Sequence, residues 1–287
     1  MAESPIPVTL PKGTPHGFIP VYTYRFPLDQ LLRPYLEQLF PAALLSVTEL
    51  RERGEQALPQ MPLFIDSGGF LALNTDVTIQ EEGGLGVLVQ PNGQTISPRS
   101  IYDEQRWAVR PNFPVTAFTL DFPAPACAAA AERERRGALT ISNARWTLSQ
   151  IRPFRVFASL QPGLSPAEVL DLQPDGLALG GLAPYSADRE RIRHEVRAMR
   201  ALMPPSLPLH VFGLGHPQSV RAALEAGATT VDSSAPQRLA ADGRSWTGEA
   251  VTDPNSAERL ALALSNLLTV SRAEVPLHLH PLWRGVR

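Results

Sequence analysis

The sequence predicts an α/β protein with a (β/α)8 barrel (TIM barrel) fold, in which eight parallel strands alternate with helices. Eight short apolar segments recur along the 287 residues, with helical or polar segments between them. They are almost continuously hydrophobic, as strands covered on both faces are, and their alternation with helices is typical of a parallel sheet. Eight repeats within this length indicate one barrel domain over residues 1–287, with an open doubly wound sheet as the alternative.

The composition indicates a well-packed protein of nearly neutral charge. Hydrophobic residues make up 44% of the chain, and the net charge is −2. This balance excludes a globally cationic nucleic-acid binder but leaves room for a local basic groove. The single cysteine, Cys127, excludes an internal disulfide and any site built from several cysteines. No secretory signal or membrane-length apolar segment is visible, so we expect a cytoplasmic protein.

The predicted strands follow one another at intervals that leave room for helices. In chain order they are residues 18–24, 42–47, 62–66, 115–121, 155–161, 176–181, 209–215 and 229–234.

Three helices are clear in the second half of the sequence. Residues 186–203 begin at Ser186, a suitable N-cap, and their apolar stripe consists of Ile192, Val196, Met199 and Leu202. Residues 217–228 have proline in the first turn and glycine near the end, the usual asymmetry of a helix. Residues 256–270 form the last predicted helix.

A long insertion separates the third predicted strand from the fourth. Residues 87–96 predict a β-hairpin with Asn92-Gly93 at its turn. A helix is predicted directly after it, with Ser97 as the cap and Pro98 at the first position.

Polar or glycine residues end six of the predicted strands. In a parallel barrel these ends open on the same face, where barrel enzymes have their active sites. Each residue has an ordinary explanation as a turn former or helix cap, but a series of them is harder to dismiss because buried carboxylates cost desolvation. The residues are Asp66, Asp121, Gln161, Gly180-Gly181, Gly213 with Gly215, and Asp232.

Six motifs in a fixed order carry a family resemblance. They are "IDSGGF", "EEGG…PNGQTISPRSIYDEQ", "LDFPAP", "SLQPG", "LALGGLA" and "HVFGLGHPQSVRAALEAGATTVDSSAPQR". Together they resemble the queuine and archaeosine tRNA-guanine transglycosylase superfamily, over roughly residues 60–245. The resemblance implies a (β/α)8 barrel that exchanges a guanine in a polynucleotide for a 7-deazaguanine base.

The resemblance assigns roles to the residues at the strand ends. It implies that Asp232 is the nucleophile that attacks the sugar C1′ and that Asp66 is the general acid and base. It further implies that Asp121 accepts hydrogen bonds from the purine N1–H and exocyclic amine. Gln161 and the Gly181 N–H would bind the O6 carbonyl. The other implied substrate-binding residues are Ser67, Gly68, Gly180 and Leu182, the last through its carbonyl toward the C7 substituent.

Nucleic acid is the partner that the resemblance implies. The target guanine must leave its stack to react. Arg238 and Arg244 match positions near the nucleophile and are expected to bind phosphates, although solvated loop arginines would look the same. Arg99 also matches a position of the family, but it is equally suited to cap the helix in which it is predicted to lie.

The sequence departs from the tRNA enzymes at their zinc site, which uses three cysteines and a histidine. No cysteine follows Cys127, so we expect no metal cofactor. His278 and His280, with His210 or His216, are an alternative ligand set that we do not favour. We also expect no separate C-terminal RNA-binding domain. These departures resemble compact DNA-modifying paralogues, which leaves DNA or tRNA as the substrate, and a homodimer or a partner subunit remains open.

Two other functions compete with base exchange. A barrel enzyme acting on a small phosphorylated metabolite would use the glycine-rich strand ends as phosphate sites, but three converging acids would repel a phosphate. A noncatalytic nucleic-acid-binding subunit of the family would lack the nucleophile, whereas Asp232 is present.

Overall fold

The computed structural model describes residues 14–24, 26–53 and 56–271. The strands are β1 (Gly17–Pro20), β2 (Ala43–Ser46), β3 (Leu63–Asp66), β4 (Thr78–Glu82), β5 (Leu85–Val89), β6 (Thr95–Ile96), β7 (Val115–Phe118), β8 (Arg155–Leu160), β9 (Gly176–Leu179), β10 (Leu209–Val211) and β11 (Thr230–Ser233). The helices are α1 (Pro27–Leu39), α2 (Val47–Glu52), α3 (Pro98–Trp107), α4 (Ala130–Leu148), α5 (Ala167–Leu170), α6 (Arg189–Ala201), α7 (Pro217–Glu225), α8 (Ala235–Ala241) and α9 (Ser256–Ser271).

Within these residues, eight strands form one parallel sheet that curls into a nearly closed barrel. The strand order is β1-β11-β10-β9-β8-β7-β3-β2. Val21 and Leu44 form a parallel bridge, and Tyr22 N–H donates to the Leu44 carbonyl at 2.8 Å, which brings β2 back to β1. The predicted (β/α)8 barrel is confirmed. Its strands are shorter than predicted; the fourth, for example, ends at Phe118 and leaves Asp121 three residues further on.

Alternation along the strands separates the barrel interior from the layer under the helices. One small apolar cluster has members on successive strands, including Ile19, Phe64, Phe118 and Phe157, and it fills the interior. Their sequence neighbours belong to the larger cluster that packs against the helices. Because side chains alternate along a strand, the residue two positions after each interior side chain also faces inward, one layer nearer the carboxyl ends of the strands.

Two details of the predicted helix at 186–203 are wrong. Ser186 is not its N-cap, because its N–H donates to Ala183 and completes a 3-10 turn that follows β9. The helix α6 is capped by Asp188, whose Oδ1 accepts the Arg191 N–H at 3.0 Å. Leu202 lies past the helix end and is 61% exposed, so it does not continue the apolar stripe. The helices predicted at 217–228 and 256–270 are confirmed as α7 and α9.

The insertion after β3 contains more structure than the predicted hairpin. Strands β5 and β6 form that hairpin, with Gly93 at φ +80° in its turn, and β4 adds a third antiparallel strand. The buried Asn143 of α4 holds this sheet by pairing with both backbone groups of Gly86. Ser97 and Pro98 begin α3 as predicted.

No helix within the described ranges combines the length and the apolar character that a membrane crossing requires.

Candidate active site

A cavity of about 590 Å³ opens at the carboxyl ends of the barrel strands. Its volume falls within the range of small-molecule sites, roughly 300–1,000 Å³. Asp66 and Asp232 lie two positions after the inward positions of Phe64 and Thr230, so alternation directs both into the layer above the apolar interior. The predicted site residues that line the cavity are Asp66, Asp121, Gly180, Gly181, Asp232 and Arg238.

Among the residues that the structure describes, both hydrogen-bond partners of the Asp232 carboxylate contact the same oxygen. Its Oδ1 lies 3.1 Å from His210 Nε2 and accepts the Gly213 N–H at 3.1 Å. The residue is 5% exposed and still lines the cavity. With both donors on Oδ1, Oδ2 is the oxygen available to a ligand.

His210 is a site residue that the sequence interpretation missed. It was considered only as a metal ligand, yet its ring is fully buried beside β11, where Nε2 contacts Asp232 and Nδ1 lies 2.8 Å from the Thr230 hydroxyl. The ring packs against Phe118 and Phe212, with centroid distances of 4.9 and 4.7 Å. A histidine three positions before Gly213, on the strand that precedes the one ending in Asp232, was the available signal.

Asp66 lies in an environment that favours its protonated form. Its pKa is raised to about 7, chiefly by burial and also by the nearby charges of Asp121 and Asp232, while the N–H groups of the following turn act in the opposite direction. The Gly68 N–H donates to Oδ2 at 3.1 Å, so the ordinary turn interaction is present as well. An acid with this pKa exchanges protons readily near neutral pH.

Asp121 is the second acid with a raised pKa, here to about 6. Burial is the main cause, and the hydrogen bond from Gln161, with Nε2 at 2.6 Å from Oδ2, opposes it. Gly69 must be glycine at this point, because a Cβ there would overlap both the carboxylate and the backbone carbonyl of Asp121. Gln161 is not among the residues that line the cavity, and its hydrogen bond to Asp121 connects it to the site.

The other four predicted substrate-binding residues, Ser67, Gly68, Gly181 and Leu182, lie next to Asp66 or Gly180 in the sequence. Ser67 is buried, and its hydroxyl accepts the Gly69 N–H at 3.3 Å. Gly68 and Gly181 have φ of +76° and +78°, which favour glycine. Leu182 is fully buried, and its carbonyl accepts the Tyr185 N–H at 2.9 Å. Its predicted contact with a C7 substituent stays a prediction.

The predicted phosphate-binding arginines lie in different places. Arg238 lines the cavity, whereas Arg244 is not among the lining residues and pairs with Asp242 at 3.5 Å. Arg99 lies over the Trp146 ring, 5.7 Å from its centroid.

The described residues do not provide the three cysteines and one histidine that bind zinc in the tRNA enzymes. Cys127 is exposed, and no group of three His, Cys, Asp or Glu side chains suited to a metal occurs among the described residues. His210 is bonded to Asp232, and His216 caps α7 by accepting the Gln218 N–H. His278 and His280 lie outside the described residues.

The arrangement suits displacement at a sugar carbon. Asp232 leaves one carboxylate oxygen without a donor, Asp66 has a pKa of about 7, and Asp121 lines the same cavity with a second carboxyl group. A nucleophile paired with an acid/base is the constellation of retaining glycoside transfer.

Comparisons with known proteins identify the family of this chain. The model of the queuine tRNA-ribosyltransferase family matches residues 55–278. A queuine tRNA-ribosyltransferase of Thioalkalivibrio sulfidiphilus is 28% identical over 207 residues, which cover 67% of this chain and 54% of that protein. Another, of Chromohalobacter salexigens, is 26% identical over 214 residues, 69% and 55% of the two chains. The chain spans about half the length of these relatives. It belongs to the queuine tRNA-ribosyltransferase family.

Proposed function

We propose that this protein is a pentosyltransferase that exchanges a guanine in a polynucleotide for a 7-deazaguanine base. The observation that supports this most is that Asp66, Asp121 and Asp232 line one cavity, with His210 and Gly213 both bonded to Oδ1 of Asp232. Family membership favours the same reaction. The relatives are named as tRNA enzymes, so tRNA is the first substrate to test and DNA the second.

In the first displacement, Oδ2 of Asp232 attacks C1′ of the target nucleotide. The C1′–N9 bond breaks, its electron pair goes to the purine, and Asp66 gives that purine its proton. The product is a covalent glycosyl ester on Asp232. His210 and Gly213 hold the other oxygen and stabilise the carboxylate charge when it leaves again.

In the second displacement, the incoming 7-deazaguanine enters the space that guanine has left. Asp66, now ionised, takes the proton from N9 of the incoming base, and N9 attacks C1′. The ester bond to Asp232 breaks, and the carboxylate recovers its electron pair. Two inversions at one carbon retain the configuration of the sugar.

Asp121 and Gln161 are the residues that we assign to base recognition. An ionised carboxylate only accepts hydrogen bonds, which suits the N1–H and the exocyclic amine of guanine. Gln161 Nε2 donates one proton to Asp121 and has a second for the O6 carbonyl. Gly181 leaves its backbone open to close approach by the ring.

The nucleotide must be extruded or single-stranded to enter the cavity. Arg238 lines the mouth and is suited to a phosphate beside the reacting sugar. Arg244 has no comparable position.

A small phosphorylated metabolite is a weaker candidate. The Gly213 N–H already binds Asp232, and the Gly180 N–H donates to the Leu160 carbonyl at 2.8 Å. Two of the backbone N–H groups that a phosphate would use at these strand ends are therefore already engaged within the protein.

The test is incorporation of radiolabelled guanine into bulk tRNA and, separately, into duplex DNA. We expect label in one of the two polymers and none with Asp232→Asn, which keeps the shape of the side chain. Absence of label in both polymers, or equal incorporation by the variant, would remove the proposal.

A further inference from the structure

The β1–α1 loop and α8 form the wall of the cavity that lies opposite the residues assigned to base recognition. In the barrel order β1 lies across from β8, so this wall faces the strand end that carries Gln161. The wall also begins beside the nucleophile, because β1 pairs with β11 and Ile19 is the register partner of Asp232. A polynucleotide with its guanine on the first wall and the sugar at Asp232 can therefore extend its next nucleotide onto the second wall.

Phe26 is a large apolar side chain that is accessible on this second wall. It lines the cavity and is 38% exposed. Its carbonyl accepts the Asp29 N–H at 2.9 Å at the start of α1, which explains its backbone but not why an aromatic ring is left exposed to water there. Phe70 is the other exposed phenylalanine among the described lining residues. It directly follows Gly69, which lies against Asp121, and so belongs to the wall of the exchanged base.

Helix α8 brings a cation to the same wall. Gln237 Nε2 donates to the Val21 carbonyl at 2.7 Å, which fixes α8 against the segment that leads from β1 to Phe26. The next residue, Arg238, is exposed and lines the cavity. The acid beside it on this wall is withdrawn from the rim, because Asp29 is 3% exposed and its Oδ2 accepts the N–H of Thr23. An accessible ring and an accessible guanidinium are thus presented together, which suits a base joined to a phosphate.

We propose that Phe26 and Arg238 form a subsite for the nucleotide next to the target guanine, with the ring stacked on its base and the guanidinium bound to its phosphate. This inference rests on the proposed function, because the ligand is the polynucleotide that donates the guanine. An aromatic face accepts every base, so the subsite selects an unstacked nucleotide rather than a sequence. The target guanine must leave its stack to react, and a neighbour held on Phe26 keeps that stack open.

The test measures dissociation constants of the full chain for single-stranded RNA and DNA oligonucleotides with one central guanine, at fixed salt. In two further oligonucleotides of each kind, the nucleotide before or after that guanine is abasic. We expect one of these two to bind wild type about tenfold more weakly than the intact oligonucleotide. Phe26→Ala should weaken binding of the intact oligonucleotide by the same factor and should leave binding of that abasic one unchanged.

The control variants separate stacking from loss of apolar surface. Phe26→Trp keeps an aromatic face and should retain the preference for the intact oligonucleotide, whereas Phe26→Leu should lose most of it. Leu31→Ala is the matched control, because Leu31 is 45% exposed on α1 but is not among the lining residues, so its affinities should equal those of wild type. Thermal melting of every variant separates loss of the subsite from loss of the fold.

Arg238→Gln tests the phosphate contact separately. It should weaken binding of the intact and the abasic oligonucleotides equally, because the phosphate is present in both. It should also lower the slope of log Kd against log salt concentration by about one. An unchanged slope would remove Arg238 from the subsite and overturn the proposal.

The stacking contact is overturned if Phe26→Ala and the abasic nucleotide have additive effects, or if Phe26→Ala binds the intact oligonucleotide as wild type does. Weaker binding of free guanine by Phe26→Ala would overturn it as well, because the ring would then contact the exchanged base. Coupling between Phe26 and the neighbouring nucleotide in a chain that exchanges no guanine would keep the subsite and remove the proposed function. Guanine exchange without this coupling would keep the proposed function and remove the subsite.

Discussion

Replacing His210 by phenylalanine removes one of the two donors to Asp232 Oδ1 and leaves only the Gly213 N–H. The new ring fits among aromatic neighbours, since His210 already packs against Phe118 and Phe212. His210 touches neither the base nor the sugar in the proposed reaction. It acts by positioning the nucleophile.

The size of the effect follows from the bond that is lost. A hydrogen bond to a charged group contributes roughly 1.5–3 kcal/mol. Each 1.36 kcal/mol corresponds to a factor of about ten in rate, so kcat/KM for guanine exchange should fall by roughly 10- to 150-fold. The KM for the free base should change little, because base recognition is assigned to Asp121 and Gln161.

The variant also leaves the Thr230 hydroxyl without its partner, which lowers stability by roughly 1–3 kcal/mol. Adding Thr230→Val removes that unpaired hydroxyl, so the double variant should recover most of the Tm but none of the rate. The assay is steady-state exchange of labelled guanine, with Tm measured on each variant. A His210→Phe enzyme within threefold of wild type would refute the positioning role, as would a double variant that regains activity together with Tm.

Three further predictions concern the acids of the cavity. Asp66 needs its proton to release guanine, and its pKa is raised to about 7, so kcat should fall as the pH rises above 7. In Asp66→Asn, kcat should be at least about 100-fold lower and should not show this decrease with pH. A wild-type kcat that stays constant up to about pH 9 would contradict the prediction. Asp121→Ala should weaken guanine binding roughly 10- to 100-fold by calorimetry, and unchanged affinity would exclude its role. Gly69→Ala pushes a methyl group against Asp121, so it should lower stability by roughly 1–3 kcal/mol and weaken guanine binding, whereas a neutral result would mean that the wall adjusts freely.

The barrel and the acids at its mouth were predictable because both follow from periodicity. Each strand is a short apolar run, and parallel strands place their carboxyl ends on one face. Asp66 and Asp232 could therefore be placed together from sequence positions alone. Family motifs then supplied the roles, which spacing does not encode.

The details that the sequence did not predict depend on partners distant in the chain or on weak local signals. Strand β4 is mostly exposed, and only Ile79 and Thr78 begin it with β-branched side chains, so no apolar run marks it. Serine and aspartate are both favourable N-cap residues. Because Ser186 ends the preceding 3-10 turn, Asp188 is the residue that caps α6. His210 gains its role only through the register that pairs it with Thr230.

The most direct measurement is the intact mass of the protein after a denaturing quench during exchange with a guanine-containing oligonucleotide. The account predicts an adduct with the mass of the oligonucleotide less guanine, located on the peptide that carries Asp232. Adding free guanine should discharge it, and Asp232→Asn should not form it. An adduct on any other residue, or exchange that proceeds in Asp232→Asn, would contradict the account.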